Sequence, residues 1–535
     1  MHKISGFIRK HVDHPPQAGP KTESATSSPG SAHAGPPIPF PSAKDFFRFR
    51  RQRGVNLGSW FVLERWISDA PFRSAIGPAQ SDLDVARGPN AQQVLEQHWD
   101  TWITEGDWTW IADKGLNSVR IPIGYYHLCG ADPSVLEGTD FVGLDHVFRG
   151  AWERITNALW TANRFGIGVL IDLHAAPGKQ NRDSHSGATG EPRFFNKANM
   201  THTIRVLTIL VTHLTAFCQS VDPPLPNLLG IELLNEPQQD PSLEQWYKEA
   251  IYFIRRIDPS IPIYIGDSWM TDHYAGYISS NASTSPFTVL DHHLYRCFTH
   301  EDISTPASQH TKHLTDPKAG TPQMLSRVAQ KLESAGGALI IGEWSGALNP
   351  GSLRDVGNED SARREYVQAQ LALFERHCAG YFFWTYKKEQ AGDKGWSLRD
   401  AARAHIFPYR VGLGGRDKVL REDSEWHVRR IQARDKALGE HQGYWARYPG
   451  HYEHWRFDEG FLRGWDDAWL FFRSISSLPP SPFIPELGFK GPWVKMRLKE
   501  HSTAKGVSNL WEYEHGFLQG LQAARNDLTG LLLAK

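Results

Sequence analysis

The order of apolar and amphipathic segments constrains the fold of this chain more than any other feature of its sequence. Eight short apolar runs, typical of buried strands, alternate with longer segments whose apolar residues recur at helical spacing. The strand candidates are residues 53–59, 117–123, 166–174, 228–235, 261–267, 288–295, 338–344 and 380–386. The helical candidates are residues 92–114, 143–165, 197–219, 242–257, 322–336 and 360–378. Strands that are apolar throughout predict a parallel sheet covered on both faces.

Eight strand–helix units in succession predict an α/β fold of the TIM-barrel type, a (β/α)8 barrel. A doubly wound open sheet is the alternative. Such a sheet usually has a glycine-rich phosphate-binding loop after its first strand, and the sequence has no such loop there. The sequence therefore favours the barrel.

The segments that flank the barrel differ from it in composition. Residues 1–44 are rich in Pro, Ser, Gly and Ala, which predicts a disordered segment because so little apolar surface is available for burial. The catalytic barrel is expected to span residues 45–415. Residues 416–535, with helical patterns at 416–440 and 507–533, are expected to hold the last barrel helix and a helical C-terminal extension. The sequence predicts no role for that extension.

Charge and composition limit the partners of the chain. Its 535 residues carry a net charge of −1, which argues against nucleic acid or an anionic membrane as the main partner. No apolar run is long enough to span a membrane. The first twenty residues lack the apolar core of a secretory signal, so we expect a cytoplasmic location, with unconventional secretion or cell-wall association as the alternative. We also expect a monomer. The four cysteines are scattered without metal-ligand spacing, so we expect free thiols, with a disulfide pair as the alternative, and no metal or other cofactor.

Two glutamates stand at the ends of strand candidates. Glu236 follows the fourth run and Glu343 lies near the end of the seventh. A buried carboxylate is costly unless it faces a polar cleft, and the C-terminal strand ends of a barrel all meet at one such cleft. A facing pair of carboxylates is what glycoside cleavage requires. A separation of about 5–5.5 Å would predict retention of anomeric configuration, and about 6.5–9.5 Å would predict inversion.

Further polar and aromatic residues fall at the ends of other strand candidates. They are Arg120, His174, Asn235, His293, Tyr295 and Trp384. We expect Glu232, Asp172 and Asp291, which precede strand ends, to be structural acids. The 20 tryptophans suit a cleft in which aromatic faces stack on sugar rings, although a large barrel core explains them equally well.

Several sequence blocks identify a resemblance to a known family. In chain order they are RGVNLGSWFVLERWI, SVRIPIGYY, IDLHAAPGKQN, LLNEP, DHHLY, IGEWSGA and FFWTYK. These blocks resemble the signature segments of glycoside hydrolase family 5, in particular the fungal exo-β-1,3-glucanases (glucan 1,3-β-glucosidases). They extend from about residue 53 to residue 398.

The resemblance implies retaining hydrolysis with Glu236 as general acid/base and Glu343 as nucleophile. It implies that Asn235 contacts the 2-hydroxyl of the cleaved sugar and that Arg120 braces the nucleophile. His174, His293 and Tyr295 would line the same subsite, with Trp384 as the platform under the sugar ring. Glu64 would grip the non-reducing-end glucose, and Asn181 and Phe298 would complete the substrate-binding set.

One block departs from the family pattern. The exo-glucanases usually continue after the APG-x-QN segment with Gly-Phe-Asp-Asn, whose phenylalanine helps to hold the next sugar. Here Arg182-Asp183-Ser184-His185 follows instead, and Phe298 is the candidate for the other half of that clamp.

Three functions are compatible with these residues. The first is an exo-acting glucan 1,3-β-glucosidase with a β-glucan or other β-glucoside as its partner. The second is an intracellular β-glucosidase that acts on glycolipid, steryl or flavonoid glycosides. The third is a non-catalytic carbohydrate-binding barrel, which is disfavoured because a binding protein needs no proton donor and nucleophile together.

Overall fold

The computed structural model describes residues 41–414, 420, 423–474 and 483–533. Its centre is a closed barrel in which eight parallel strands follow one another in chain order. The strands are β1 Gln52–Asn56, β2 Ser118–Gly124, β3 Gly168–Ala175, β4 Leu228–Glu232, β5 Ile263–Gly266, β6 Thr288–Leu294, β7 Ala338–Trp344 and β8 Gly380–Phe383. The predicted (β/α)8 barrel is thereby confirmed.

Helices surround the barrel, mostly between successive strands. Those up to β8 are α1 Ala43–Phe49, α2 Asp82–Ala86, α3 Ala91–Trp102, α4 Glu105–Asp113, α5 Asp145–Phe148, α6 Ala151–Arg164, α7 Lys197–Ser220, α8 Leu243–Arg255, α9 Thr271–Ser280, α10 His300–Ser304, α11 Ala307–Thr315, α12 Gly320–Ala335 and α13 Glu359–His377. Short 3₁₀ turns occur at Ala70–Ser74, Tyr125–Leu128, Pro133–Leu136, Ser184–Ser186 and Pro350–Leu353.

The pattern at residues 92–114 predicted one helix, but the structure has two, α3 and α4. Ile103 adopts extended backbone angles that end α3. Thr104 then begins α4 in a capping box with Asp107, because each side chain accepts a hydrogen bond from the other's backbone N–H. A threonine three residues before an aspartate was the signal for this break.

The fourth and eighth strands are shorter than their apolar runs. β4 ends at Glu232, so Asn235 and Glu236 lie in the loop that follows it, and β8 ends one residue before Trp384. The apolar residues after Glu232 remain buried, which is why burial alone did not reveal the end of the strand. The loops thus carry the polar groups to the C-terminal mouth of the barrel.

Helix α1 closes the opposite, N-terminal end of the barrel. Its Phe46 and Phe47 are buried in one apolar cluster with Leu170, Leu229 and other residues of the strands. Ser42 caps the helix in a capping box with Asp45. The predicted disordered segment 1–44 lies outside the described residues as far as residue 40, and its last two residues belong to α1.

The chain beyond β8 is largely helical where it is described. Its elements are α14 Leu398–Arg403, β9 Leu413–Gly414, α15 Trp426–Trp445, α16 His454–Arg473, β10 Phe483–Ile484, α17 Lys490–Lys505 and α18 Leu510–Leu533. The helix predicted at 507–533 corresponds to α18. In the range predicted as a helix at 416–440, Leu420 is helical and α15 begins at Trp426, and residues 415–419, 421 and 422 lie outside the described chain. The first helix after β8 is α14, which lies before residue 416.

These C-terminal helices pack under the barrel, on the side away from its mouth. Phe461, Trp465 and Trp493 belong to the same buried cluster as Phe46 and the lower strand residues. An ion pair also joins the two parts, because Arg53 of β1 contacts the buried carboxylate of Glu486. The extension therefore completes the floor of the barrel.

Two sequence-based expectations concern the remaining chemistry of the chain. Cys129, Cys218, Cys297 and Cys378 all carry free thiols, as expected. Among the helices of the described ranges, none combines the length and apolar character needed to cross a membrane.

Candidate active site

A cavity of about 1340 Å³ opens at the C-terminal ends of the barrel strands. Both glutamates singled out in the sequence line it, together with His174, Asn235 and Trp384. This is the face on which TIM-barrel enzymes hold their reactive groups, because the strand-end loops converge there.

Glu343, in β7, is held by two donors. Its Oε1 accepts a hydrogen bond from Arg120 Nη1 at 2.9 Å, and its Oε2 accepts one from Tyr295 Oη at 2.8 Å. Both donors favour the ionised carboxylate. Burial opposes them and raises the pKa of Glu343. Glu343 thus has a fixed orientation and two groups that stabilise its negative charge.

Glu236 lies four residues beyond β4 with a backbone φ of 42°. This left-handed conformation is unusual for a residue with a Cβ atom. Asn181 stabilises it, because its Nδ2 donates a 3.1 Å hydrogen bond to the carbonyl oxygen of Glu236. Asn181 therefore acts on the glutamate backbone, and it is not among the residues that line the cavity.

The two carboxylates are close to each other. One oxygen of Glu236, one oxygen of Glu343 and a ring nitrogen of His293 all lie within 4.8 Å of one another. Oxygens within that limit are compatible with the carboxyl separation of about 5–5.5 Å found when a carboxylate attacks the sugar directly. It is shorter than the roughly 6.5–9.5 Å that leaves room for a water molecule between carboxylate and sugar.

His293 lies between the glutamates. Its Nδ1 is 2.7 Å from Glu236 Oε1 and 3.5 Å from Glu343 Oε2. Burial lowers the pKa of His293, but Glu343, Asp291 and Glu236 outweigh that effect and raise it well above its ordinary value. Burial raises the pKa of Glu236, and the hydrogen bond and charge of His293 reverse that shift and lower it. A proton between His293 and Glu236 therefore lies mainly on His293, and the three groups titrate as a unit.

Arg120 of β2 organises the floor of the site and is completely buried. Besides Glu343, its guanidinium contacts Glu232 Oε2 at 2.6 Å and Asp172 Oδ2 at 3.0 Å. It also donates to Asn235 Oδ1 at 2.8 Å. The expected structural acids Glu232 and Asp172 thus fix the arginine that fixes Glu343.

His174 and Trp384 form one wall of the cavity. His174 Nδ1 lies 2.6 Å from Asp172 Oδ2, and its Nε2 is 3.4 Å from Asn235 Nδ2. The imidazole is parallel to the indole of Trp384, with 5.8 Å between ring centroids. The Asp172 contact fixes the ring orientation of His174, so its other nitrogen faces Asn235 and the cavity.

A cluster of aromatic rings also lines the cavity, where Glu64 is found. Trp66 Nε1 donates a 2.8 Å hydrogen bond to Glu64 Oε2. Burial raises the pKa of Glu64 to about 7. The rings of Trp66, Tyr295 and Phe298 each lie within 5.8 Å of the ring of Trp396. Phe298 keeps 68 % of its surface exposed at the cavity mouth.

The loop that departs from the family pattern places charged groups in the cavity lining. His185 Nε2 lies 3.8 Å from Glu236 Oε2 and 3.7 Å from Asp183 Oδ2. Burial lowers the pKa of His185, but Asp183, Glu64 and Glu236 outweigh it and raise the pKa to about 9. The imidazole is thus a cation close to Glu236.

The structure brings most of the predicted site residues to one cavity. The lining includes Glu64, His174, Asn235, Glu236, His293, Tyr295, Phe298, Glu343 and Trp384. Arg120 and Asn181 do not line the cavity, but they form hydrogen bonds to residues that do. Trp66, His185 and Trp396 were not predicted. Trp66 stands two residues after Glu64 in one of the blocks that resemble the family, and His185 lies in the loop that departs from the family pattern. Both segments could be identified from the sequence, but the contacts of these two side chains could not.

The fold and the site define a glycosidase built on a (β/α)8 barrel. The sequence model for cellulase, glycosyl hydrolase family 5, matches residues 85–390. The chain belongs to glycosyl hydrolase family 5. Residues 427–527, most of the C-terminal extension, match a second model, described as the glucan 1,3-beta-glucosidase 3 C-terminal domain.

Similar proteins cover both parts of the chain. Glucan 1,3-beta-glucosidase 3 of Schizosaccharomyces pombe is 31 % identical over 88 % of this chain and 95 % of its own length. An uncharacterized glycosyl hydrolase of Saccharomyces cerevisiae is 29 % identical over 90 % of this chain and 93 % of its own. The solved structure of rutinosidase from Aspergillus niger, at 20 % identity and a TM-score of 0.52, covers 67 % of this chain and 97 % of its own, and shares the fold.

Proposed function

We propose that this protein is a retaining, exo-acting β-glucosidase that releases glucose from the non-reducing ends of β-1,3-glucan. One observation carries the proposal: an oxygen of Glu236 and an oxygen of Glu343 lie within 4.8 Å of each other at the barrel mouth. That geometry leaves room for direct attack by a carboxylate on the anomeric carbon and little room for an intervening water.

In the first step, a carboxylate oxygen of Glu343 attacks the anomeric carbon. The bond from this carbon to the glycosidic oxygen breaks, and Glu236 delivers a proton to the departing oxygen. Arg120 and Tyr295 orient the nucleophile. His293, 2.7 Å from Glu236, supplies the proton that Glu236 needs in its acid form.

In the second step, Glu236 acts as a base. It removes a proton from a water molecule, whose oxygen attacks the anomeric carbon and displaces Glu343. The sugar is released with its original configuration, since two inversions occur at the same carbon. As Glu343 recovers its negative charge, it repels a negative charge on Glu236. This repulsion favours the form in which Glu236 or His293 holds the proton taken from water.

Exo action is supported by the groups around Glu64. This carboxylate is 8 % exposed and is held by Trp66 on the same side of the cavity as Trp396. A carboxylate there can accept hydrogen bonds from two adjacent hydroxyls of a terminal glucose, while the indoles pack against its ring. We propose that this end of the cavity holds the terminal sugar.

Two observations support a β-glucan substrate and one favours a second candidate. The S. pombe relative, which this chain matches over 95 % of the relative's length, is named a glucan 1,3-beta-glucosidase. In addition, Phe298 is exposed where a second sugar would stack. The loop after Asn181 supplies Asp183 and His185 to the same cavity lining. A charged wall is less suited to a second glucose ring, so a β-glucoside with a different aglycone is the alternative substrate.

Comparing leaving groups tests both candidates. Purified protein is incubated with laminaritriose, an aryl β-glucoside and a glucosylated lipid, and the released glucose is followed by NMR at early times. We expect β-glucose to appear first and laminaritriose to be cleaved fastest. Faster cleavage of the lipid would favour the second candidate, and early α-glucose would contradict retention.

Variants assign the catalytic groups. Glu343→Ala is expected to lower kcat/KM by several orders of magnitude, because nucleophile and acid act as a unit. Glu249→Ala, an exposed position on α8, is the matched control and should leave the rate unchanged. Full activity in Glu343→Ala would contradict the site assignment, and absence of turnover with all three substrates would contradict the proposed function.

A further inference from the structure

Three helices of the C-terminal part bring two histidines and one glutamate together, away from the barrel cavity. His441 lies on α15, His454 begins α16 and Glu512 lies on α18. His441 Nε2 and His454 Nδ1 each lie 3.0 Å from the same oxygen, Glu512 Oε2. The three atoms all lie within 4.8 Å of one another.

We propose that His441, His454 and Glu512 form a binding site for a divalent transition-metal ion, with Zn²⁺ as the ion that fits best. Two imidazole nitrogens and one carboxylate oxygen are a donor set that Zn²⁺ binds well, and three protein ligands leave its fourth position open.

The charge of the cluster supports a cation. Glu512 is completely buried, and in the described part of the chain no Lys or Arg forms an ion pair with it. A buried carboxylate without a Lys or Arg partner is costly in a protein interior unless a cation or a proton on a neighbouring group compensates its charge. A divalent ion bound between the three side chains would compensate it.

The orientation of each ligand is already fixed by a second contact. The backbone N–H of Glu453 donates to Glu512 Oε1 and so leaves Oε2 for the site. His441 stacks on Phe457 with 4.1 Å between centroids, and His454 stacks on Tyr452 with an interplanar angle of 7°. Such contacts to groups outside the ligand set are typical of metal sites, because they hold the donors in place.

The dimensions of the cluster can be compared with those of a zinc site. Zinc bonds of about 2.0–2.1 Å in a tetrahedral arrangement separate the donor atoms by roughly 3.3 Å. Each nitrogen now lies 3.0 Å from Glu512 Oε2, and the two nitrogens lie within 4.8 Å of each other. Each imidazole then presents a lone pair where it now donates, and its proton moves to the other ring nitrogen. The side chain of His454 is 27 % exposed, which gives the ion a route from solvent.

A bound ion would join α15, α16 and α18, since each supplies one ligand. Metal-depleted full-length protein is expected to take up one Zn²⁺ per chain, measured by isothermal titration and by metal analysis after dialysis. Zn²⁺ should also raise the unfolding temperature, because it binds the folded form. Neither readout depends on glycoside hydrolysis, so failure of this inference and failure of the proposed function are distinguishable.

Variants locate the ion. His454→Asn and Glu512→Gln are expected to weaken Zn²⁺ binding by on the order of 100-fold or more. His427→Asn, an exposed histidine on α15, is the matched control. Glu343→Ala removes a member of one of the three barrel groups that also have suitable spacing, and should leave uptake unchanged.

The inference would be overturned if wild type showed no stoichiometric uptake, or if uptake survived in His454→Asn. Loss of uptake in Glu343→Ala alone would place the ion in the barrel and would likewise overturn it. Because His454 is partly exposed, its replacement is expected to preserve folding even if Glu512→Gln does not.

Discussion

Tyr295 Oη donates a 2.8 Å hydrogen bond to Glu343 Oε2, in a site where Glu343 also accepts from Arg120. Removing this phenol should cost a hydrogen bond to a charged group, about 1.5–3 kcal/mol. We therefore expect Tyr295→Phe to lower kcat by about 10- to 100-fold. The acidic limb of the pH profile should move to higher pH, because loss of a donor to the ionised form raises the pKa of Glu343.

The matched control is Tyr277→Phe, which removes a phenol that donates to the carbonyl of Glu244 outside the cavity. It should leave kcat and the pH profile unchanged. An unaltered profile in Tyr295→Phe would show that Tyr295 does not act on the charge of Glu343.

Arg120 connects three carboxylates, so its replacement should affect both stability and rate. Lysine has no planar fork and cannot reach Glu232, Asp172 and Glu343 together. Breaking buried ion pairs of this kind costs about 3–5 kcal/mol. Arg120→Lys is expected to lower the unfolding free energy in urea by that order and to reduce kcat/KM at temperatures where the variant is folded. Wild-type stability in this variant would show that the carboxylates find other partners.

His185 distinguishes this chain from the family pattern, and its charge lies next to the proposed proton donor. With a pKa of about 9 it is an imidazolium at neutral pH, 3.8 Å from Glu236. A nearby cation favours the ionised form of a carboxyl group. We expect His185→Asn to move the basic limb of kcat/KM to higher pH, because Glu236 then holds its proton more tightly.

The control for His185 is His146→Asn, an exposed histidine on α5. It should reproduce the wild-type profile. A shift of the basic limb to lower pH in His185→Asn would contradict the electrostatic role of His185.

The barrel and the pair of glutamates were predictable from sequence because each depends on a local signal. A strand that is covered on both faces must be apolar along its length, and a charged residue at its end must meet a polar cleft. Contacts between distant segments left no such signal. The hydrogen bond from Asn181 to the Glu236 carbonyl, and the carboxylates of Glu232 and Asp172 on Arg120, depend on which loops the closed barrel brings together.

The C-terminal part was the least predictable for the same reason. Its helices α16 and α17 bury aromatic residues against the barrel floor, so their apolar surface reflects a partner far away in the chain. Helical periodicity marks an apolar face without identifying what covers it.

Glu64 gives a pH dependence of stability whose sign is fixed by burial. Its pKa is about 7 in the folded protein against an ordinary 4.5, so the folded form binds the proton more tightly. The resulting cost is absent below about pH 4.5, grows as pH rises, and is complete above about pH 7. It amounts to about 3 kcal/mol at one pKa unit per 1.36 kcal/mol.

Glu64→Gln removes this ionisation and keeps an oxygen acceptor for Trp66. We expect the variant to be more stable than wild type at pH 8 and equal to it at pH 4, measured by urea unfolding. Its affinity for glucose should fall, because a neutral amide replaces the carboxylate. If Glu64→Gln and wild type had equal stability at both pH values, ionisation of Glu64 would carry no burial cost in the folded protein.

Helices α16 and α18 approach so closely that only glycine fits at four positions of their contact. A Cβ at Gly464 would lie 2.1 Å from the carbonyl oxygen of Phe517, and one at Gly516 would lie 2.1 Å from that of Phe457. Gly460 and Gly520 meet similar backbone contacts. The two backbones must therefore separate to admit a single methyl group.

Gly464→Ala is expected to destabilise the protein by about 1–3 kcal/mol or more, because overpacking costs that much even where neighbours are side chains, and here they are backbone atoms. Gly439→Ala on α15 is the matched control, since its Cβ would meet nothing within 4 Å. That change should stabilise the helix by about 0.5–1 kcal/mol, because alanine loses less conformational entropy than glycine on folding. Opposite signs for the same substitution, measured by thermal or urea unfolding, would establish that close backbone packing holds the C-terminal helices together, whereas equal effects would contradict it.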